Sequence, residues 1–432
     1  MKNERMPRIS LCMIVKNEEK KLARALSWGK DVLWEKVVVD TGSTDRTVEL
    51  AESLGARVCH FTWIDDFAAA RNFALEQARG EWILTLDADE YPVPKAEEYL
   101  LSLAKRLEEG NYDGVHAGIL ELDNQGNIMT RSSRIRLFRN TPQLRYRRRI
   151  HEQLGFTDGR EMRLANVDEK IAFFHDGYVG EAQAAKQRSG RNLRLLKQEL
   201  ADHLGDYEIM GYLGDEYIGY GDEKQARQWY RRSVEHMPEK LPPSDPRSAW
   251  TFSSLIAMYT AEGNQEQAKQ MYERAVRLQP EDADFDYVMG MYHVKAGHWE
   301  EGVRYLSQGL SKLERFGAAN CSMRISADLT GVYGNLALCF LKSGRRQEAV
   351  QTAVAVLQVT PYDMKALFLL LQAFYEDGGI AANSQPYQDS VMEFLGKLYD
   401  LSVLKNRLFI ARAAREAGWE SLAAQMERGM IQ

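Results

Sequence analysis

The stretch ISLCMIV, residues 9–15, is a nearly continuous apolar run. Such a run is typical of a strand buried on both faces of a sheet. Further apolar runs follow in VVVD (37–40), ARVCHF (56–61) and EWILTLDADE (81–90), with helical segments between them. Because strands alternate with helices, the sequence predicts an α/β domain with a mostly parallel sheet.

The helical segments between these strands are predicted around residues 19–28, 44–54 and 66–79. Asp65 or Asp66 suits the N-cap of the third helix, because a carboxylate there accepts hydrogen bonds from the free amides of the first turn. Polar residues therefore stand where strands give way to helices.

From about residue 186 the strand pattern stops and pairs of helices repeat. Small residues, aromatic residues and a closing proline recur at the same offsets in two units: Gly214, Tyr217, Ala226, Tyr230, Ser233 and Pro238, then Ile256, Tyr259, Ala268, Tyr272, Ala275 and Pro280. Two weaker units contain Gly290, His293, Gly302, Leu306 and Gly309, and then Ala337, Phe340, Ala349, Ala353, Val356 and Pro361. Small residues where paired helices cross are typical of tetratricopeptide repeats. The alternative is an unrelated helical bundle.

The repeat pattern sets the predicted domain organisation. Helices near 364–376 and 388–430 should continue and cap the array, and LPPSDP (241–246) is predicted as a loop between repeats. We expect an α/β domain over residues 1–185 and an all-α repeat domain over residues 186–432.

Bulk composition limits the classes of function. The net charge of −6 over 432 residues disfavours general affinity for nucleic acid. The N-terminal residues lack the apolar core of a signal peptide, and no apolar run approaches the ~18 residues of a membrane-spanning helix. We therefore expect a cytoplasmic protein without an integral membrane segment. The cysteines stand far apart, which predicts neither a zinc site nor a disulfide framework: Cys12, Cys59, Cys321 and Cys339.

Polar side chains follow three of the predicted strands. Asn17 and Glu18 come after the first, DTGSTD (40–45) ends the second, and Asp87 and Asp89 end the fourth. In open parallel sheets, ligands bind beyond the carboxyl ends of the strands. One edge of the sheet is therefore the predicted binding site.

The stretch DTGSTDRT, residues 40–47, has the features of a nucleotide-recognition turn. Asp40 can accept a hydrogen bond from a base or a sugar hydroxyl, and Gly42 allows close approach of the backbone. Ser43 or Thr44 can cap the following helix. A plain strand–turn–helix connection explains the same residues. A Rossmann dinucleotide site is disfavoured, because no GxGxxG follows the first strand.

The acidic motif LDADE, residues 86–90, places Asp87 and Asp89 on either side of the small Ala88. Two carboxylates this close repel unless a cation or hydrogen bonds stabilise them. Mg²⁺ or Mn²⁺ prefers oxygen ligands, would bridge a diphosphate and would stabilise a nucleoside-diphosphate leaving group. The motif therefore predicts a metal–diphosphate site.

An arginine-rich segment, residues 131–150, contains eight arginines and no acid. One or two of them are candidates for bidentate phosphate contacts. The alternative for most of them is a solvated edge strand. Glu152, directly after this segment, is a candidate general base, and His175 is a candidate metal ligand. Each of these two side chains has a structural role as its alternative.

The motifs MIVKNEE, DTGSTDRT, DFAAARN, WILTLDADE, RLFRN, IHE and FHDGY occur in this order. Together they resemble the family 2 glycosyltransferases, which have a GT-A fold. The chain is most similar to the subgroup that fuses this domain to tetratricopeptide repeats, which includes the sublancin-type peptide S-glycosyltransferases. A related subgroup adds sugars to the lipopolysaccharide core. The acidic motif of the sublancin-type enzyme ends differently, so its acceptor is not carried over.

The resemblance implies a role for each motif residue. It places Val15, Asn17 and Glu18 in the nucleotide pocket, Asp40 and Ser43 at the nucleoside, and Arg71 at the base or diphosphate. Asp87 and Ala88 would bind the nucleotide sugar, and Asp87 would lie at the ribose or the metal. Asp89 would contact the donor and ligate the metal together with His175, and Glu152 would be the catalytic base.

The implied reaction is an inverting transfer of a hexose from a nucleotide-diphosphate sugar, such as UDP-glucose, with Mg²⁺ or Mn²⁺ as cofactor. A cysteine or serine of a peptide is the first acceptor class, and a lipid-linked or surface glycan is the second. The repeats are expected to present the acceptor or to form a homodimer. A non-catalytic scaffold with a degenerate transferase domain is the third alternative.

Overall fold

The computed structural model describes residues 7–167, 170–176, 190–241, 245–317 and 323–428. The chain forms two compact units, residues 1–222 and 223–432. The predicted boundary at 185/186 lies outside the described residues, and the helices that follow it up to residue 219 belong to the first unit. The stretch 242–244 of the predicted LPPSDP loop, the last two residues of FHDGY and Cys321 also lie outside the described residues.

The first unit is built from short strands with helices between them. Its strands are β1 (Ile9–Val15), β2 (Glu35–Asp40), β3 (Arg57–His60), β4 (Trp82–Thr85), β5 (Glu90–Pro92), β6 (Gly114–Leu122), β7 (Ile128–Arg139), β8 (Leu144–Arg147), β9 (Gln153–Phe156), β10 (Leu164–Asn166) and β11 (Ala172–His175). Its described helices are α1 (Leu22–Leu26), α2 (Thr47–Ser53), α3 (Phe67–Gln77), α4 (Ala96–Glu109), α5 (Arg191–Asp202) and α6 (Tyr207–Gly219). The strands and helices expected before residue 80 are all present, and Asp66 caps α3 by accepting from the amide of Ala69.

Nine of the strands form one mixed sheet. Its order is β3-β2-β1-β4-β7-β6-β11-β5, with β10 paired to β6. β7 and β5 run against the others, since they pair antiparallel with their neighbours. Strands β8 and β9 form a separate hairpin. This architecture confirms the predicted α/β fold class.

The core explains why β1 is apolar along its whole length. Leu11 and Met13 belong to an apolar cluster on one face of the sheet. Cys12, between them, packs into a second cluster on the other face, together with Ala74 and Leu75 of α3. Because side chains alternate along a strand, β1 must be apolar at odd and even positions alike.

The structure changes two predictions about this unit. The fourth strand is shorter than the predicted stretch 81–90, because β4 ends at Thr85, and Asp87 and Asp89 lie just past its end. The arginine-rich segment is an edge strand only in part. β4 pairs with β7 at Leu137–Arg139, so the end of β7 is interior and buried, whereas its start pairs with β6 alone and is exposed, as at Arg131.

The second unit is helical throughout its described residues. It contains α7 (Glu223–His236), α8 (Pro246–Ala261), α9 (Gln265–Leu278), α10 (Asp284–Ala296), α11 (Trp299–Phe316), α12 (Met323–Ala327), α13 (Leu329–Lys342), α14 (Arg346–Val359), α15 (Met364–Gly378), a 3₁₀ turn (Gly379–Asn383), α16 (Gln385–Leu395), α17 (Leu404–Glu416) and α18 (Glu420–Glu427). None of the helices in the described ranges is both long and apolar enough to cross a membrane.

The small residues of the repeat pattern lie where helices pack closely. A Cβ added to Gly290 of α10 would come within 2.6 Å of the Leu306 side chain of α11. In the preceding pair, Ala268 and Ala275 of α9 are fully buried, and Tyr259 of α8 is 4% exposed. This packing confirms the predicted helical repeats.

Candidate functional site

The carboxyl ends of β1 and β4 open onto a cavity of about 950 Å³ within the first unit. At this point the strand order turns back on itself, from β3-β2-β1 to β4, which is where open α/β sheets bind ligands. Eight predicted site residues line the cavity: Val15, Glu18, Arg71, Asp87, Ala88, Asp89, Glu152 and His175. Asn17, Asp40 and Ser43 are not among its lining residues.

Asn17, Asp40, Ser43 and Thr44 form a network that we call the turn network. The carboxylate of Asp40 is 4% exposed and accepts hydrogen bonds from the amides of Gly42 and Ser43, both at 3.1 Å. The hydroxyl of Ser43 accepts from the amide of Asn17 at 2.9 Å, and the Asn17 side chain accepts from the amide of Thr44 at 2.8 Å. These contacts join the turn after β1 to the turn after β2.

Arg71, Asp87 and Glu152 form the centre of a second network, which we call the charge network. Arg71 Nη2 donates to Asp87 Oδ1 at 2.9 Å, and Arg71 Nε donates to Glu152 Oε1 at 2.5 Å. Burial disfavours the charged guanidinium, but the two carboxylates outweigh it and raise the pKa of Arg71 well above its ordinary value. Burial likewise opposes ionisation of Asp87, but Arg71 and Arg136 hold the pKa of this carboxyl below its ordinary value.

Asp89 and His175 complete the charge network. His175 Nε2 lies 3.4 Å from Asp89 Oδ1, and His175 Nδ1 lies 2.6 Å from Glu121 Oε2. Glu121 and His175 are register partners on the parallel strands β6 and β11, so the sheet itself sets this contact. Burial lowers the pKa of His175, but the bonds to Asp89 and Glu121 prevail and raise it to about 9.

A buried ion pair stabilises the turn formed by the LDADE motif. Glu90 is 1% exposed and pairs with Arg136 of β7. Its other oxygen accepts the amide of Asp87 at 3.0 Å. Burial raises the pKa of Glu90. The last residue of LDADE thus shapes the turn that carries Asp87 and Asp89.

Comparison with protein-family models identifies this unit. Residues 10–171 match the model described as glycosyl transferase family 2. These residues form a family 2 glycosyltransferase domain. Residues 258–282, in the second unit, match a tetratricopeptide repeat model.

Curated relatives resemble part of this chain. A tetratricopeptide repeat-containing protein of Synechococcus elongatus is 35% identical over 237 residues, which are 53% of this chain and 57% of the relative. The prophage-derived glycosyltransferase SunS of Bacillus subtilis is 25% identical over 231 residues, 53% of each chain. The chain therefore spans about half the length of these two relatives.

Among solved structures, the chain resembles S. aureus TarS, with a TM-score of 0.34 and 15% identity over 60% of this chain and 54% of that one. It also resembles the tetratricopeptide protein YrrB, with a TM-score of 0.35 and 15% identity over 54% of this chain and 97% of that one. At these TM-scores the likenesses support no inference about activity.

Asp89 and His175 bring a carboxylate oxygen and a ring nitrogen, two donors that suit a divalent metal, to within 3.4 Å of each other at the cavity. In the described ranges, no group of three or more His, Cys, Asp or Glu side chains is arranged to hold a metal by itself. Mg²⁺ and Mn²⁺ sites of phosphoryl substrates commonly use one or two protein ligands and complete the shell with phosphate oxygens and water. Glu121 engages Nδ1 of His175 and leaves Nε2 facing Asp89, which is the usual arrangement behind a metal-binding histidine.

Several residues of the cavity were missed by sequence reasoning. Arg191 and Asn192 of α5 and Glu216 of α6 line it, although their helices were assigned to the repeat domain. Tyr146 of β8 also lines it, and its hydroxyl donates to Thr85 at 3.3 Å. The α5 and α6 residues lie outside every motif, so the sequence carried no signal for them. Tyr146 lies inside the arginine-rich segment, where one or two of the arginines were expected at the phosphates, and Arg134 and Arg136 of this segment line the cavity.

Proposed function

We propose that this protein is an inverting glycosyltransferase that moves a hexose from a nucleotide-diphosphate sugar, such as UDP-glucose, to an acceptor nucleophile. One observation carries the proposal. Asp87, Asp89, Glu152 and His175, which come from three separate parts of the sequence, line one cavity at the carboxyl ends of the strands. A purely structural role would not require four ionisable groups around a cavity of this size.

The donor side of the reaction is assigned to the residues around β4. Asp89 and His175 would hold Mg²⁺ or Mn²⁺, which when bound neutralises the leaving diphosphate as a Lewis acid. Arg71 and Arg134 line the same cavity and can donate to phosphate oxygens. Fixed charges in a partly enclosed site stabilise the developing negative charge without reorganisation.

The acceptor side is assigned to Glu152. Its carboxylate takes the proton of the acceptor O–H or S–H while the acceptor atom forms a bond to the anomeric carbon. The bond between that carbon and the diphosphate oxygen breaks, and its electron pair leaves with the nucleoside diphosphate. A single displacement of this kind inverts the configuration at the anomeric carbon.

For the acceptor, we propose a peptide with a cysteine or serine, presented by the helical repeats. Arrays of such repeats commonly hold extended peptides or helices, which supports this class.

The reaction is tested by measuring UDP release from UDP-glucose with Mn²⁺, alongside a panel of other nucleotide sugars. We expect release with at least one donor, its loss with EDTA, and its loss in Asp89→Asn. Asp158→Asn is the matched control, because Asp158 is exposed and does not line the cavity. No release with any donor would favour a non-catalytic scaffold, whereas equal release in Asp89→Asn would contradict the role assigned to Asp89.

The acceptor class is tested by mass spectrometry of peptides incubated with the donor that the panel selects. Two peptides that differ only in a single cysteine or serine distinguish transfer to sulfur from transfer to oxygen. Donor hydrolysis without a sugar adduct on either peptide would contradict the peptide class and point to a glycan acceptor.

A further inference from the structure

Arg71 contacts two carboxylates of the proposed site: Asp87 on the donor side and Glu152, the proposed base, on the acceptor side. Its Nη2 donates to Asp87 at 2.9 Å and its Nε to Glu152 at 2.5 Å. The Arg71 side chain is 13% exposed, and that of Glu152 is 14% exposed. Charge-assisted bonds at such a site are stronger than those at an open surface.

The backbone around this arginine is held in place on both sides. The amide of Phe67, one turn earlier in α3, donates to the carbonyl of Arg149 at 2.9 Å. Asn72 exchanges two hydrogen bonds with the backbone of Tyr146, at 2.8 and 2.9 Å. Segment 146–152 is therefore fastened to α3 by contacts that do not involve the Arg71 side chain.

A bound donor would compete for this guanidinium. A diphosphate next to Asp87 adds negative charge on the side that Nη2 already faces. Planar guanidinium forks match phosphate oxygens better than they match a single carboxylate oxygen. Arg191, which also lines the cavity, keeps a positive charge near Glu152 when Arg71 turns away.

We propose that Arg71 couples donor binding to the catalytic base: it holds Glu152 in the empty site and passes to the diphosphate when the donor binds. Glu152 is then released to accept the acceptor proton only when the sugar is in place. Arg71 is thus a positioning residue for the base, and the proton transfer follows donor binding. This inference rests on the proposed glycosyltransferase function and describes how that site is regulated.

The coupling is tested by calorimetric binding of UDP with Mn²⁺, a readout that needs no acceptor and no turnover. Glu152→Gln frees Arg71 for the diphosphate, so UDP should bind roughly three- to tenfold more tightly than to the wild type. In an Arg71→Met background the same Glu152→Gln change should alter affinity less than about twofold. Should Arg71→Met not fold, because it removes a shared partner of two carboxylates, Arg71→Gln removes the charge and keeps a hydrogen-bond donor.

The matched control is Glu49→Gln. Glu49 is exposed, does not line the cavity, and its carboxylate accepts from Arg46 Nε at 3.2 Å. Removing its charge should change UDP affinity less than about twofold. A gain in Glu152→Gln that is equally large without Arg71 would show simple charge repulsion and overturn the coupling, as would no gain at all. Failure of the wild type to bind UDP, or the nucleotide of any donor in the panel, would overturn the glycosyltransferase proposal itself.

Discussion

The turn network and the charge network lie at the same edge of the sheet but use their polar groups differently. In the turn network, Asp40 and Asn17 bond to backbone amides of neighbouring turns. In the charge network, Arg71 and His175 reach carboxylates that are far away in sequence and that line the cavity. The first network satisfies the turns, whereas the second leaves charged groups facing a space that a ligand can fill.

The difference shows how to separate structural from chemical roles among residues of one motif set. A polar side chain that caps free amides stabilises the fold whether or not a ligand is present. A charged pair beside a cavity contributes little by itself, because desolvation offsets the attraction, but it can exchange partners when a ligand arrives. Substitutions in the two networks should therefore affect different measurements.

The largest expected effect is on turnover, in the charge network. Glu152→Gln should lower the turnover number for the donor by about 10²- to 10⁴-fold, because the amide cannot accept the acceptor proton. The measurement is steady-state UDP release with Mn²⁺, and nucleotide binding should not weaken. Loss of nucleotide binding instead would assign Glu152 a structural role.

A smaller effect, on stability, is expected in the turn network. Asp40→Asn should lower the free energy of unfolding by about 1–2 kcal/mol, because an amide offers one acceptor oxygen where two amides need partners. The urea midpoint of the first unit checks this, with UDP affinity measured in parallel. Unchanged stability with tenfold weaker UDP binding would show that Asp40 binds the nucleoside, and the contrast between the networks would fail.

The smallest expected effect is on thermal stability, and it separates two contributions of Asn17: its hydrogen bond to Thr44 and its tolerance of a left-handed backbone conformation. Its φ is +56°, a left-handed conformation that asparagine tolerates and alanine disfavours by about 1 kcal/mol. Asn17→Gly loses only the bond to Thr44, whereas Asn17→Ala loses the bond and also strains the backbone. The thermal midpoint of the alanine variant should therefore lie below that of the glycine variant, and equal midpoints would remove the conformational argument.

Much of the fold was predictable from local pattern. The run 9–15 predicted β1 to the residue, and the repeat offsets predicted buried positions such as Ala268 and Ala275. The position of β7 was not predictable, because an arginine-rich strand with an exposed start and a buried end looks like an edge in sequence. Its neighbours β4 and β6 are set by long-range pairing, which local periodicity does not report.

The sequence by itself determined which chemical groups are present and at which strand ends most of them stand. Asp40, Asp87 and Asp89 stand at the ends of apolar runs that predict strands. Because parallel strands bring their carboxyl ends to one edge of the sheet, the sequence also predicted that these residues lie near one another. Only the tertiary structure decided that Arg71 joins Asp87 to Glu152 and that Glu121 orients His175. These contacts span 16 to 81 positions in the chain. They depend on how the elements pack, and not on the order of residues within any one of them.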